Sequence, residues 1–296
     1  MTVTTAGTAR PARSRARSTG ALAVFRRALR SPAGLAGFVI AVVVVAAGLL
    51  APWLSPMAPE ATDYANPLSG PSGLHLLGTD ELGRDQLSRV LYGINASVLV
   101  GLASVVLAAL VGVPLGLVAG YFPKVDRVIS QLVDVMLAFP NLILAVGLAA
   151  ILGPSAMNAA IALAVGAVPG FVRLIRGEVL RLRGLDFVSS AIAAGNTHTR
   201  ILWRHILPNA TSTLLVQISV AIPHAILGEA MLSFLGLGIR PPTPSLGIML
   251  AGAQQYIETA WWLAVFPGLA IVALTLAFNL FGDALRDALD PKGRRR

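Results

Sequence analysis

The sequence contains no cysteine. Disulfides, thiolate metal sites and cysteine nucleophiles are therefore excluded, although that absence identifies no compartment. Charge is scarce as well: 12% of the 296 residues are Asp, Glu, Lys or Arg, against about 25% in a soluble domain. A polar surface able to hold a chain of this length in water cannot be assembled from that supply. The four histidines, His75, His198, His205 and His224, form no His-x-x-x-His pair, and there is no HExxH. Ser189-Ser190 has no Gly-x-Ser-x-Gly setting. No G-x-x-x-x-G-K-[ST] occurs either, so the chain has no P-loop with which to hold ATP. An enzyme reading is left without a constellation of reactive groups.

What is present is apolar. Hydrophobic residues make up 55% of the chain, and the mean hydropathy is +0.75. A helix needs about 20 apolar residues to cross about 30 Å of hydrocarbon, and the sequence offers six such runs. The first, Leu35 to Leu54 within the segment 31–54, is longer than a signal-peptide core of roughly 7–15 residues, which predicts a retained transmembrane helix. Residues 1–30 before it are basic and contain no acid, and read as a disordered tail. A polar segment, 55–93, follows. A transmembrane core, 94–285, then holds the runs Ala96–Val118, Val128–Leu152, Ala156–Val172, Ala210–Leu232 and Trp261–Gly282. A short basic tail, 286–296, ends the chain. Transmembrane barrel strands are about 10 residues of alternating polarity, so the pattern predicts an all-α polytopic bundle of six transmembrane helices in a lipid bilayer.

The distribution of positive charge sets an orientation. Twenty of the 23 Lys and Arg lie in the two tails, the turn 124–127 and the stretch 173–204. Only Arg84, Arg89 and Arg240 lie on the other side. By the positive-inside rule, both termini and the interval 177–209 are expected in the cytoplasm. The net charge of +9 is thereby accounted for without nucleic acid as a partner.

Ionisable groups inside spans are costly and usually face protein or a water-filled cavity. They are Asp134, His224 and Glu229. Asp134 reads as an ion pair to Arg127 or to a neighbouring helix. His224 and Glu229 read either as pathway-lining groups or as packing hydrogen bonds. In the 177–209 interval, Asp186 to Ala194 has the pattern of a short helix, with Asp186 as a possible N-cap. Phe187, Ala191 and Ala194 share one face at i, i+4 and i+7. Gly195-Asn196 is a stop that suits a left-handed cap. A second helical piece, Thr199 to Leu207, returns the chain to the membrane. A narrow helix projecting from a membrane bundle suits a groove on a partner. In the 55–93 segment, Thr79, Asp80, Gly83, Arg84 and Asp85 form a turn cluster read as a structured elbow. Local ion pairs Asp80–Arg84 or Arg84–Asp85 are available to it. The oxygens lack the spacing of a calcium loop, and no metal site is expected.

The interval resembles the cytoplasmic loop of ABC importer membrane subunits, whose EAA signature runs Glu-Ala-Ala, three residues, Gly, then Leu-Pro about a dozen residues on. Here the match is Ser189-Ser190-Ala191, Gly195 and Leu207-Pro208, with Ser189 where the family has Glu and Ser190 where it has Ala. The segments HLLGTDELGRDQLSRVLYG, DVMLAFPNLIL, RHILPN and GEAMLSFLGLGIRPPTPSLGIML are similar to the C-type permease of dipeptide, oligopeptide and nickel systems. The resemblance implies a type I ABC importer permease in a bacterial cell membrane. Its coupling helix would be carried by Asp186, Phe187, Val188, Ser189, Ser190, Ala191, Ala194, Gly195 and Asn196, with Arg204, His205 and Pro208 behind it. The implied partners are a homologous second permease, two ATPase subunits that bind ATP and Mg, and an extracytoplasmic substrate-binding protein. The cargo implied is di- or oligopeptide, with nickel or another small solute as the alternative. A stand-alone secondary transporter is the remaining possibility.

Overall fold

The structure, a computed structural model, describes residues 21–289. Among these, every regular element longer than an isolated bridge is helical. Five helices are long and apolar enough to cross a membrane, or six when one sharply bent pair is taken as a single span. They are α2 (Pro32–Leu49), α4 (Gln86–Tyr121), α7 (Ala156–Arg183), the continuous run His198–Phe234, and α12 (Trp262–Leu289). The bent pair is α5 (Pro123–Leu137) and α6 (Asn141–Leu152), which meet at 88°. The expected span Val128–Leu152 is thus broken. Ala138 still has helical backbone angles, but Phe139-Pro140 does not continue the helix. Proline clashes with the preceding turn and restrains the residue before it. Prolines 114, 169, 223 and 267 lie inside continuous helices.

Small residues let the central helices touch. α4 and α7 pack along their length at Gly112, Gly116 and Gly120, spaced four apart on one face of α4. A Cβ at these positions would lie 2.6, 2.8 and 2.6 Å from the Cβ atoms of Phe171, Ile175 and Val179. Lipid supplies no hydrophobic drive for helices to associate, so close backbone contact takes that role. Gly101 plays the same part against Ile226 of α10 (Leu207–Phe234). Phe171, Ile175, Val179, Leu117, Ile206 and Ile226 form the buried centre.

α2 packs on α12 through Gly34 and Gly37 and on α4 through Gly48. Asn95 donates to the Gly48 carbonyl at 3.1 Å. A single turn, α3 (Ala51–Leu54), ends this first run. Val265, Leu269, Val272 and Leu276 of α12 are exposed on one stripe, the pattern of a lipid-facing surface.

Two expectations change here. Residues Ala21–Ala28 are a helix, α1, and not a disordered tail. Val24 and Ala28 are buried against Ala284 and Leu285. Phe25 meets Phe38 and Phe281, with ring centroids 5.6 Å away in each case. Residues 1–20 of the 1–30 tail, and residues 290–296 of the 286–296 tail, lie outside the described residues. The second change is that α4 begins at Gln86, ten residues before the expected span. At 1.5 Å per residue its 36 residues extend about 54 Å, so α4 protrudes well beyond the hydrocarbon.

Candidate functional site

The helices enclose a cavity of about 490 Å³, open on one side. Its walls come from α4 (Ser104, Val105), the α5–α6 break (Leu137, Asn141, Leu142), α7 (Leu163, Gly166, Gly170) and α10 (Gln217, His224, Gly228). The lining is mostly apolar, with Ser104, Asn141, Gln217 and His224 as isolated polar groups. The His224 imidazole Nδ1 lies 2.8 Å from the Val220 carbonyl oxygen, and the residue remains exposed. Gly170 leaves room for Gln217, whose Nε2 would be 3.4 Å from a Cβ at that position.

Below the cavity, toward the 177–209 interval, α5 and α7 are joined by two ion pairs. Arg176 grips Asp126 with two nitrogens, and Ser130 donates to the same carboxylate at 3.0 Å. One turn nearer the cavity, Arg173 Nη2 donates to Asp134 Oδ1 at 2.7 Å. Asp134 therefore pairs across to α7 and not with Arg127. Both side chains of this upper pair are more than half exposed, at 58% and 64%. The sequence reading had not singled out Arg173, Arg176, Asp126 or Gln217. For Asp126 the available signal was spacing, since 126, 130 and 134 fall four apart on α5.

Glu229 is placed elsewhere. It is fully buried and lines no part of the cavity. Ser97 of α4 donates to one carboxylate oxygen and Ser233 of α10 donates to the other at 2.7 Å. Ser245 is hydrogen-bonded to the same carboxyl and caps α11 (Leu246–Ala253), accepting from the Ile248 N–H at 3.3 Å. The Glu229 carboxyl is held by hydrogen bonds between packed helices. A buried carboxyl here is tolerated because hydroxyls from three segments surround it.

The elbow is equally dense. Asp80 and Arg84 pair at 2.6 Å, and Arg89 also reaches Asp80 at 3.3 Å. Asp85 does not pair with Arg84. It lies 3.1 Å from the buried His75 ring and caps α4 by accepting from Ser88 N–H and Oγ at 2.9 and 2.8 Å. Thr79 donates to the Asn66 carbonyl at 2.6 Å, and its own carbonyl accepts from the Trp262 indole at 3.1 Å. Gly83 has φ +74° and presses on the Asp63 backbone, where a Cβ would collide. The Asn66 amide, then the Ala65 N–H, hold the Asp63 carboxyl below its ordinary range.

In the 177–209 interval, α8 spans Asp186–Ala193. The N-cap is Leu185, in extended backbone and without a side-chain hydrogen bond, so Asp186 is the first helical residue and not the cap. An acid there still suits the positive end of the helix. The buried face is Val188 and Ala191, while Phe187, Ser189, Ser190, Ile192 and Ala194 are exposed. Phe187 and Ala194 therefore do not share the buried stripe with Ala191. Gly195 has φ +76°, and Asn196 N–H returns to the Ala191 carbonyl at 3.2 Å, a left-handed cap. The chain then runs through α9 (His198–Arg200) and a π-helical turn, Ile201–Ile206, into α10. This turn carries Arg204 and His205, and Pro208 lies in the first turn of α10. His198 Nδ1 lies 3.0 Å from the Tyr121 hydroxyl at the end of α4. Among the described residues, no three His, Cys, Asp or Glu come together as a metal site would need.

The fold is that of a multi-pass transporter permease. A chain of the MetNI methionine ABC transporter, solved in inward-facing conformations, superposes with a TM-score of 0.57 over 68% of this chain and 96% of that one, at 20% identity. The family described as the binding-protein-dependent transport system inner membrane component matches residues 112–295. The N-terminal TM domain of oligopeptide transport permease C matches residues 22–71. The di/tripeptide transport system permease protein DppC of Pseudomonas aeruginosa is 46% identical, covering 87% of this chain and 88% of that one. The dipeptide permease DppC of Alkalihalophilus pseudofirmus is 42% identical over 90% and 88%. The glutathione permease GsiD of Pectobacterium atrosepticum is 43% identical over 90% of both chains. The chain belongs to the binding-protein-dependent transport permeases: it is a membrane permease subunit of an ABC importer, and that family is one of transport subunits, not enzymes.

Proposed function

We propose that this subunit forms half of a translocation pathway for di- and oligopeptides handed over by an extracytoplasmic binding protein. The observation that carries the reading is the likeness, over about nine-tenths of both chains, to permeases named for dipeptides and tripeptides. The largely apolar cavity with a few polar groups supports it, because a pathway that admits many side chains cannot bind any one tightly. A homologous second permease closes the open side of the cavity. Both termini and the 177–209 interval face the cytoplasm, and the 55–93 segment, with its elbow Thr79, Asp80, Gly83, Arg84 and Asp85, faces outward. α8 docks on one of two ATPase subunits through its exposed Phe187, Ser189, Ser190 and Ala194, with Val188 and Ala191 holding it to the bundle. Gly195 and Asn196 set its exit, and Arg204, His205 and Pro208 lead the motion into α10. ATP and Mg are bound by those partners. The test is uptake of radiolabelled dialanine into vesicles that hold the complete transporter, with binding protein outside and ATP inside. ATP-dependent accumulation is expected; accumulation of nickel complexes in place of every peptide tried would replace the cargo.

A further inference from the structure

The two ion pairs between α5 and α7 differ in a way that matters for passage through the cavity. The lower pair is closed. Both oxygens of Asp126 are taken by Arg176, and Ser130 adds a third hydrogen bond. The upper pair is open. Asp134 uses only Oδ1 and Arg173 only Nη2.

The upper pair also lies on the cavity side. Arg173 follows Gly170 by three residues and Gly166 by seven, and both line the cavity. Residues so spaced share a helix face. Asp134 precedes the lining residue Leu137 by three. The pair thus stands one turn, about 5 Å, below the cavity wall. Paired charges on spans belong where they meet protein or water, and these two side chains are exposed, at 58% and 64%.

We propose that Asp134 and Arg173 form a subsite for the two charged ends of a short zwitterionic peptide on its way out of the cavity. Asp134 takes the terminal ammonium and Arg173 takes the terminal carboxylate, so the peptide replaces their mutual pair. An extended dipeptide spans at most about 7 Å, within the swing of the long Arg173 side chain. Exposed pairs are weak and exchange readily, whereas guanidinium and carboxylate match as a two-pronged pair. The Gln217 amide, over Gly170, stands one turn away for the peptide bond. This subsite selects for free termini and leaves side chains unread. It rests on the peptide cargo proposed above.

The complete transporter, purified in detergent without binding protein, is titrated with radiolabelled dialanine by equilibrium dialysis. Dialanine amide and N-acetyldialanine serve as competitors. The wild type binds dialanine saturably and each blocked analogue about tenfold more weakly. Arg173→Gln loses about tenfold for dialanine but binds the amide as the wild type does. Asp134→Asn loses about tenfold for dialanine but binds the N-acetyl analogue as the wild type does. Arg173→Lys, which keeps the charge, stays within about threefold of the wild type, and Glu258→Gln, on an exposed loop, is unchanged. An equal loss for all three ligands in either charge-removing variant overturns the subsite, as does a wild type without saturable binding. Vesicle uptake by the same wild-type preparation separates the two readings. Uptake without intrinsic binding sinks the subsite alone, and absence of any peptide uptake sinks the cargo.

Discussion

The glycine ladder between α4 and α7 makes a sharp prediction. At Gly116, a Cβ would lie 2.8 Å from Ile175 Cβ and 2.9 Å from the Val172 carbonyl oxygen. Carbon atoms sit comfortably at about 3.5–4.0 Å, so the two helices must part by about 0.7 Å to admit one methyl group. Overpacking of this kind costs about 1–3 kcal/mol. Alanine recovers up to about 1 kcal/mol of helix propensity over glycine, which leaves a net loss of about 1 kcal/mol for Gly116→Ala. Gly116→Leu drives a branched side chain into backbone and β-carbons that cannot rotate away, and belongs at the upper end, about 3 kcal/mol. That is more than a hundredfold in the folding equilibrium, since 1.4 kcal/mol is tenfold. Gly268 of α12 is the control, because a Cβ there meets nothing within 4 Å. The assay is denaturant-induced unfolding of the purified transporter in detergent. A Gly116→Leu protein as stable as the wild type, or a Gly268→Ala protein that loses as much, refutes the close-packing argument.

Three further outcomes are expected. Gly195→Val forces a β-branched residue into φ +76°, a strain of about 1–3 kcal/mol. ATP hydrolysis without peptide uptake in vesicles is the result; normal uptake would remove α8 from the coupling path. Glu229→Ala strands the buried hydroxyls of Ser97 and Ser233, at about 1–3 kcal/mol for each unpaired group, and lowers the thermal stability of the purified protein more than Glu229→Gln, which can still accept one bond and donate another. Trp262→Phe loses the bond to the Thr79 carbonyl, and faster amide exchange around residues 78–80 checks that the elbow is fastened to α12.

The apolar runs were legible because a membrane demands length and hydrophobicity, and both are properties of local sequence. α8 and its glycine stop were legible for a similar reason, since a left-handed cap has a residue preference. The covered face of α8 was not: periodicity put Phe187, Ala191 and Ala194 on one stripe, whereas the cluster that also holds Ile201 and Leu182 covers Val188 with Ala191. The helix Ala21–Ala28 was hidden by its arginines, which read as a tail while Val24 and Ala28 were the residues that mattered. The break at Phe139-Pro140 could not be told from four prolines that leave their helices continuous, because neighbours decide which freed carbonyls are satisfied. The role of Asp134 depended on Arg173, 39 residues away, a pairing that no local pattern carries.

The carboxyl of Glu229 has one more consequence. It ties the first part of α4 and the last part of α10 to the start of α11, and none of the three can let go without orphaning a hydroxyl. These pieces are therefore fastened into one unit. The backbone is irregular elsewhere, at the π-helical turn Ile201–Ile206 and at the right-angled break before Asn141. The π-helical turn follows α8 and the short α9, whereas the break before Asn141 lies higher, in the cavity wall.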